Sequence, residues 1–207
     1  MRRNGRIPKA AESIEFVPAN YFRPLTLGEV FPRAAPIEVD LGCGDGAYLA
    51  ALAEQNPDRN FLGIERLLGR VRSACQKILH ADLTNARILR VEIVYAVMHL
   101  FPMRSVEVFH LIFPDPWPKR RHSRRRVVTE DFLVSIHRAL TPRGTLRIAT
   151  DKTDYFREIE RLVARSPQFI MIADQEAPGA VSTFEKRFRQ GEIEIHRLVL
   201  RKVSDVT

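Results

Sequence analysis

The sequence predicts an α/β fold: a mainly parallel, seven-stranded sheet with helices on both faces and an antiparallel last strand. Two observations carry this. From Ile37 onward, short apolar runs of strand length alternate with segments of helical spacing, the pattern of strand–helix–strand units. Between the last two apolar runs no helical segment intervenes, so nothing can carry the final strand back to a parallel position.

Taken in order, residues 1–36 hold Arg2, Arg3, Arg6, Lys9 and Arg23 among five prolines, without strong periodicity. They read as a basic N-terminal arm, partly flexible, ahead of a single domain over 37–207. Ile37–Leu41 is a short strand, Gly42–Gly46 a tight turn, and Ala47–Gln55 an Ala- and Leu-rich helix. Asn60–Ile64 is a second strand, ending at Glu65. Leu67–His80 is helical, with Leu68, Val71, Cys75, Ile78 and Leu79 on one face. Ala86–Ile93 is a third strand, followed by a short helical piece to Leu100. Val106–Phe113 is the fourth, Val127–Leu140 a helix, and Pro142–Gly144 a turn. Thr145–Thr150, Phe169–Ala173 and Ile193–Lys202 complete the strands, with a helix over Tyr155–Arg165.

The chain has 207 residues, enough for one domain with a real core. Its net charge of +8 is clustered rather than diffuse, and its pI near 10.0 favours a polyanionic partner. No apolar stretch reaches the length of a spanning helix, and the basic N-terminus leads into no apolar segment. No membrane partner is therefore expected. Two cysteines, Cys43 and Cys75, make no disulfide framework and share no metal-ligand spacing with the six histidines. A cytoplasmic setting without a metal is expected.

The glycine turn lies between a strand and a helix, the context that gives such a motif meaning. Gly42, Gly44 and Gly46 permit a sharp turn and close approach of a ligand to the backbone. The spacing is G-x-G-x-G, not the G-x-G-x-x-G of a dinucleotide site, and Asp40 and Asp45 crowd it with negative charge. That disfavours a phosphate and suits an ammonium or sulfonium cation. Glu65, about twenty residues on, is placed to accept from a ribose diol. Glu92, ending the third strand, can face an adenine amino group. Together these features match S-adenosylmethionine.

At the end of the fourth strand, Phe113–Arg126 reads FPDPWPKRRHSRRR. Three prolines stiffen and extend the loop. Six of the eight residues from Lys119 to Arg126 are Lys or Arg. One carboxylate, Asp115, beside one aromatic, Trp117, with a dense positive field behind them, suggests a pocket for a base on nucleic acid. The arginines would hold phosphates while groups near the base specify it. A turn-forming Asp, a core Trp and a solvated basic face are the bland alternatives, and strand C-termini are where open α/β sheets place ligands.

These residues resemble the bacterial tRNA guanine-N7 methyltransferases, over about Asp40 to Lys202. FPDPWPKRRHSRRR is similar to that family's F-P-D-P-W-x-K-x-R-H-x-K-R-R signature, and DLGCGDG, FLGIE, the ATD of Ala149–Asp151 and the STFE of Ser182–Glu185 add to it. The resemblance implies a Rossmann-like class I methyltransferase fold and methyl transfer from S-adenosylmethionine to guanine N7 in the tRNA variable loop. It implies cofactor contacts from Asp40, Glu65, Glu92 and Asp115, with Asp115 also catalytic. Lys119, Asp151 and Ser182, Thr183, Phe184 and Glu185 would meet the RNA. Arg121, His122, Arg124, Arg125 and Arg126 would form the RNA-contacting strip. Asp40, Glu92 and Ser182 stand where the family more often has Glu, Asp and Thr. A monomer or homodimer with no obligate protein partner is implied.

Rival readings leave distinct traces. Asp115–Pro116–Trp117 resembles a shortened D-P-P-Y loop of amino-group methyltransferases. A nucleotide-dependent oxidoreductase lacks both its glycine spacing and a Y-x-x-x-K pair here. A non-catalytic RNA-binding protein has no use for acids at successive strand ends, which repel RNA.

Overall fold

The computed structural model of the protein describes residues 14–117, 126–173 and 194–203. Its strands are β1 (Glu15–Phe16), β2 (Ile37–Leu41), β3 (Asn60–Ile64), β4 (Ala86–Leu89), β5 (Val106–Ile112), β6 (Leu140–Thr150), β7 (Phe169–Ile172) and β8 (His196–Lys202). They form one sheet in the order β1-β4-β3-β2-β5-β6-β8-β7. Every pairing from β1 to β6 is parallel. Only β8 runs against the rest, antiparallel to both β6 and β7.

The helices are α1 (Leu27–Val30), α2 (Ala47–Gln55), α3 (Leu68–His80), α4 (Ile93–Tyr95) running on as a π-helical turn (Ala96–Leu100), α5 (Glu130–Ala139) and α6 (Thr153–Val163). One core cluster packs Phe61, Ile88, Val71 and Ile78 beneath α2 and α3. The other joins Val39, Phe109 and Leu111 of the central strands to Leu100, Phe132 and Ile136. Side chains of this size each stabilise the fold by about 1.5–3 kcal/mol when buried.

Five expectations need correction. The sheet has eight strands, because Glu15–Phe16 adds an edge strand parallel to β4. Within the segment from Ile14 to Pro36, Ile14, Leu25, Val30 and Phe31 are buried in the core; the prolines between these residues hide any periodicity. The third strand stops at Leu89, and Glu92 instead caps α4, its Oε2 accepting the Tyr95 N–H at 2.8 Å. Helix α5 starts late, where the Thr129 hydroxyl accepts the Phe132 N–H at 3.1 Å. The segment expected as a turn at 142–144 lies inside β6, as an irregularity in its register. Val106 faces Leu140 but Val108 faces Thr145. Arg143 takes a φ of 66° there.

Strands β2 and β5 are neighbours, and from them the chain steps outward through β3 and β4 on one side and to β6 on the other. That reversal opens a crevice above their C-terminal ends.

Candidate active site at the strand ends

The turn after β2 brings its glycines into left-handed backbone, with φ of 82° at Gly42, 58° at Gly44 and 75° at Gly46. The N–H groups of Gly42 and Cys43 both donate to the Ile64 carbonyl, at 2.8 and 3.0 Å, which ties the turn to the end of β3. The three glycines do different work. A Cβ on Gly46 would stand 2.6 Å from the Ala74 Cβ, so this glycine lets α2 start hard against α3. Gly42 borders the crevice.

Charge at the turn is arranged differently from expectation. Asp45 does not act on the site: its Oδ2 takes the Lys77 ammonium at 2.7 Å, and its Oδ1 accepts the Ala47 N–H at 3.3 Å. Burial alone would raise this acid, but the bonds from Lys77 and Ala47 outweigh it and hold the carboxyl below its usual range. Asp40 is the opposite case. It is 3% exposed, and burial, with the charge of Glu65 added, pushes its acid up to about 7. The thiol of Cys43 is pushed well above its ordinary value, first by burial and then by these two acids. It is no nucleophile.

Glu65 is 5% exposed. Its Oε1 accepts the Leu67 N–H at 2.8 Å, and Arg70 stands 3.7 Å from its Oε2. Glu92 is exposed at the head of α4. Beyond β5, Phe113 donates to the Ala149 carbonyl at 2.8 Å, and the loop rises to place Asp115 at the surface. A cavity of about 300 Å³ results, with Gly42, Glu65, Glu92, Asp115 and Trp117 on its walls. Asp40 lies behind that wall rather than on it. Arg66 and Arg70 also border the cavity, and nothing in the sequence pattern singles them out beyond their place after Glu65.

A second space, of about 310 Å³, lies on the far side of the same loop, between Pro116 and the start of α6. Asp151, Lys152, Thr153 and Arg126 border it, and the Asp151 carboxylate pairs with the Lys152 ammonium at 2.5 Å. Arg126 is turned inward: its side chain is 12% exposed and ion-paired with Glu158. The structure thus brings together Gly42, Glu65, Glu92 and Asp115 around one cavity, and Asp151 and Arg126 around its neighbour. Lys119, Arg121, His122, Arg124, Arg125, Ser182, Thr183, Phe184 and Glu185 lie outside the described residues.

Residues 34–198 match a family model described as "Putative methyltransferase". A tRNA (guanine-N(7)-)-methyltransferase of Thermotoga maritima is 34% identical over 93% of this chain, which spans 63% of that protein's length. One of Halorhodospira halophila is 33% identical over 87% of this chain and 81% of its own. Among solved structures, an S-adenosylmethionine-dependent methyltransferase from Aquifex aeolicus superposes with a TM-score of 0.57, covering 81% of this chain and 82% of its own at 15% identity. That last likeness speaks to the fold alone. Among the described residues, no helix is long and apolar enough to cross a membrane.

Proposed function

The chain belongs to the tRNA (guanine-N(7)-)-methyltransferase family, and we propose that it methylates guanine N7 in the variable loop of tRNA. The observation that carries this reading is the convergence of Gly42, Glu65, Glu92 and Asp115, from four successive strand ends, on one cavity of about 300 Å³.

The residues present fit S-adenosylmethionine. Two acids, Asp40 and Glu65, are buried close enough that one raises the other, an arrangement a cationic ligand relieves. Gly42 would let the ligand approach the backbone, Glu65 would accept from a ribose diol, and Glu92 would face the adenine. When bound, this cofactor supplies a methyl group on a sulfonium. Guanine N7 carries an in-plane lone pair and no proton, so the protein needs no general base. Its task is to hold the purine in line and to stabilise the positive charge that the ring gains. Asp115, with no hydrogen-bond partner among the described residues, offers a carboxylate that favours the charged ring over the neutral one. Asp151, across the loop, would meet the substrate from the neighbouring space. Lys119 and Arg121–Arg125 would grip the sugar–phosphate chain, with Ser182–Glu185 completing the substrate side.

The deciding experiment incubates the protein with methyl-labelled donor and unmodified tRNA, then locates the label in digested nucleosides. N7-methylguanosine is expected. Label on an exocyclic amine would instead make it an amino-group methyltransferase, and RNA binding without transfer would leave a binding protein.

A further inference from the structure

The loop that carries Asp115 is held in a backbone shape it would not keep alone. Phe113 and Trp117, one at each end, both adopt left-handed φ, 54° and 40°. For bulky side chains this is an outlier conformation, and it persists only where surrounding contacts over-determine it. One restraint is the bond from Phe113 N–H to the Ala149 carbonyl, 2.8 Å long.

A second restraint is Arg126. Its Nε donates to the Pro116 carbonyl at 2.9 Å, next door to Asp115. The same guanidinium pairs through Nη1 with Glu158 of α6 and lies 5.0 Å from the centre of the Tyr155 ring. Tyr155 is fully buried, so this face of the clamp is anchored in the core. A planar fork can bond a carbonyl, pair with a carboxylate and stack on a ring at once; a lysine cannot.

We propose that Arg126 is a positioning residue, tying the Asp115 loop to α6 through the Pro116 carbonyl and so setting where Asp115 stands over the cofactor cavity. The proposal rests on the reading of Asp115 given above. It separates Arg126 from the phosphate-contacting run that precedes it in sequence. With Nε on the Pro116 carbonyl, Nη1 on Glu158 and the Tyr155 ring beside it, this guanidinium is committed to the protein in a way a freely exposed phosphate-binding arginine is not.

The test compares Arg126→Ala, Arg126→Lys, Glu158→Gln and the Arg126→Ala/Glu158→Gln double variant. Trp117 is the sole tryptophan of the chain, so quenching of its fluorescence by acrylamide reports on this loop directly. Arg126→Ala is expected to raise that quenching and to lower kcat by about a hundredfold, the scale of a misplacement near 1 Å. KM for tRNA and the salt dependence of RNA binding should stay within error of wild type. Arg126→Lys should recover little of the lost rate. The double variant should be no slower than Arg126→Ala, because both changes open one clamp. A salt slope reduced by about 0.7–0.9, the signature of one lost phosphate contact, with kcat and quenching unchanged, would overturn the proposal. Should Arg126→Ala fail to fold, Glu158→Gln keeps the arginine in place and its quenching decides the matter. If wild-type protein transfers no methyl to tRNA, the reading of function fails, while Trp117 quenching still decides whether Arg126 holds the loop.

Discussion

The Asp40 carboxyl is buried within reach of the Glu65 charge, and its acid stands at about 7 for that reason and for its burial. The folded protein therefore binds this proton more tightly than the unfolded chain, whose aspartates titrate near 3.8. The stability that this group contributes is full below pH 3.8 and is lost as pH rises toward 7. A cation placed beside the pair reverses the preference and expels the proton. Cofactor affinity should thus be flat above pH 7 and fall by up to about tenfold per pH unit below it. Calorimetry at pH 6 in buffers of different ionisation enthalpy should show proton release on binding. Asp40→Asn should abolish both effects.

Asp115→Asn preserves shape and removes the charge. Because only interactions stronger in the transition state raise the rate, kcat should fall by about 10²–10³. The tRNA dissociation constant should move less than about twofold, since phosphate contacts dominate that affinity. Single-turnover kinetics together with a filter-binding isotherm would separate the two quantities. A near wild-type kcat would remove Asp115 from the chemistry.

Gly46→Ala should destabilise the protein by about 2–3 kcal/mol, because the new methyl overlaps Ala74 and the backbone already sits at positive φ. Gly44→Ala meets nothing closer than the Gly42 carbonyl oxygen at 3.9 Å, and should cost only its backbone strain, about 1 kcal/mol. Urea denaturation of the two variants checks the difference. Equal losses would mean that packing of α2 on α3 does not depend on this position.

Beneath the turn, Glu38 of β2 joins His110 Nε2 at 2.7 Å and Arg59 Nε at 2.6 Å, and the Tyr48 hydroxyl meets His110 Nδ1 at 3.2 Å. Burial would raise Glu38, but His110 and Arg59 outweigh it and hold its carboxyl below the ordinary value of 4.5. Its contribution is present above pH 4.5 and is lost as pH falls through the lower folded value. Glu38→Gln should cost about 3 kcal/mol at neutral pH, the scale of a broken buried ion pair. The loss should narrow in acid. Thermal melts of both proteins from pH 7 to pH 3 measure it.

Sequence reading placed β2, α2, β3 and β8 within a few residues, because their patterns are local. Asp40 and Glu65 stand at the ends of β2 and β3 beside the glycine turn, and Asp115 stands in the loop after β5, as their places in the sequence imply. The fourth, Glu92, had the right location and the wrong element: its capping bond to Tyr95 depends on where β4 stops pairing. Arg126 shows the deeper limit. It is chemically identical to Arg124 and Arg125, and it is turned inward by the Pro116 carbonyl ten residues earlier and by Glu158 and Tyr155, some thirty residues later in the chain. The partner that neutralises Asp45, Lys77, likewise comes from α3, out of reach of any local pattern. Strand β1 escaped notice because two residues give no period to read.

Strand β8 is threaded between β6 and β7, so β7 meets the sheet only through a strand made after it. On the ribosome, β7 must therefore wait. Until His196–Lys202 emerges, β6 presents a bare edge and β7 has no partner, which makes assembly of this side of the domain a late and single event. Growing chains halted before that strand should be held by chaperones, or lost to proteolysis, rather than released half-built.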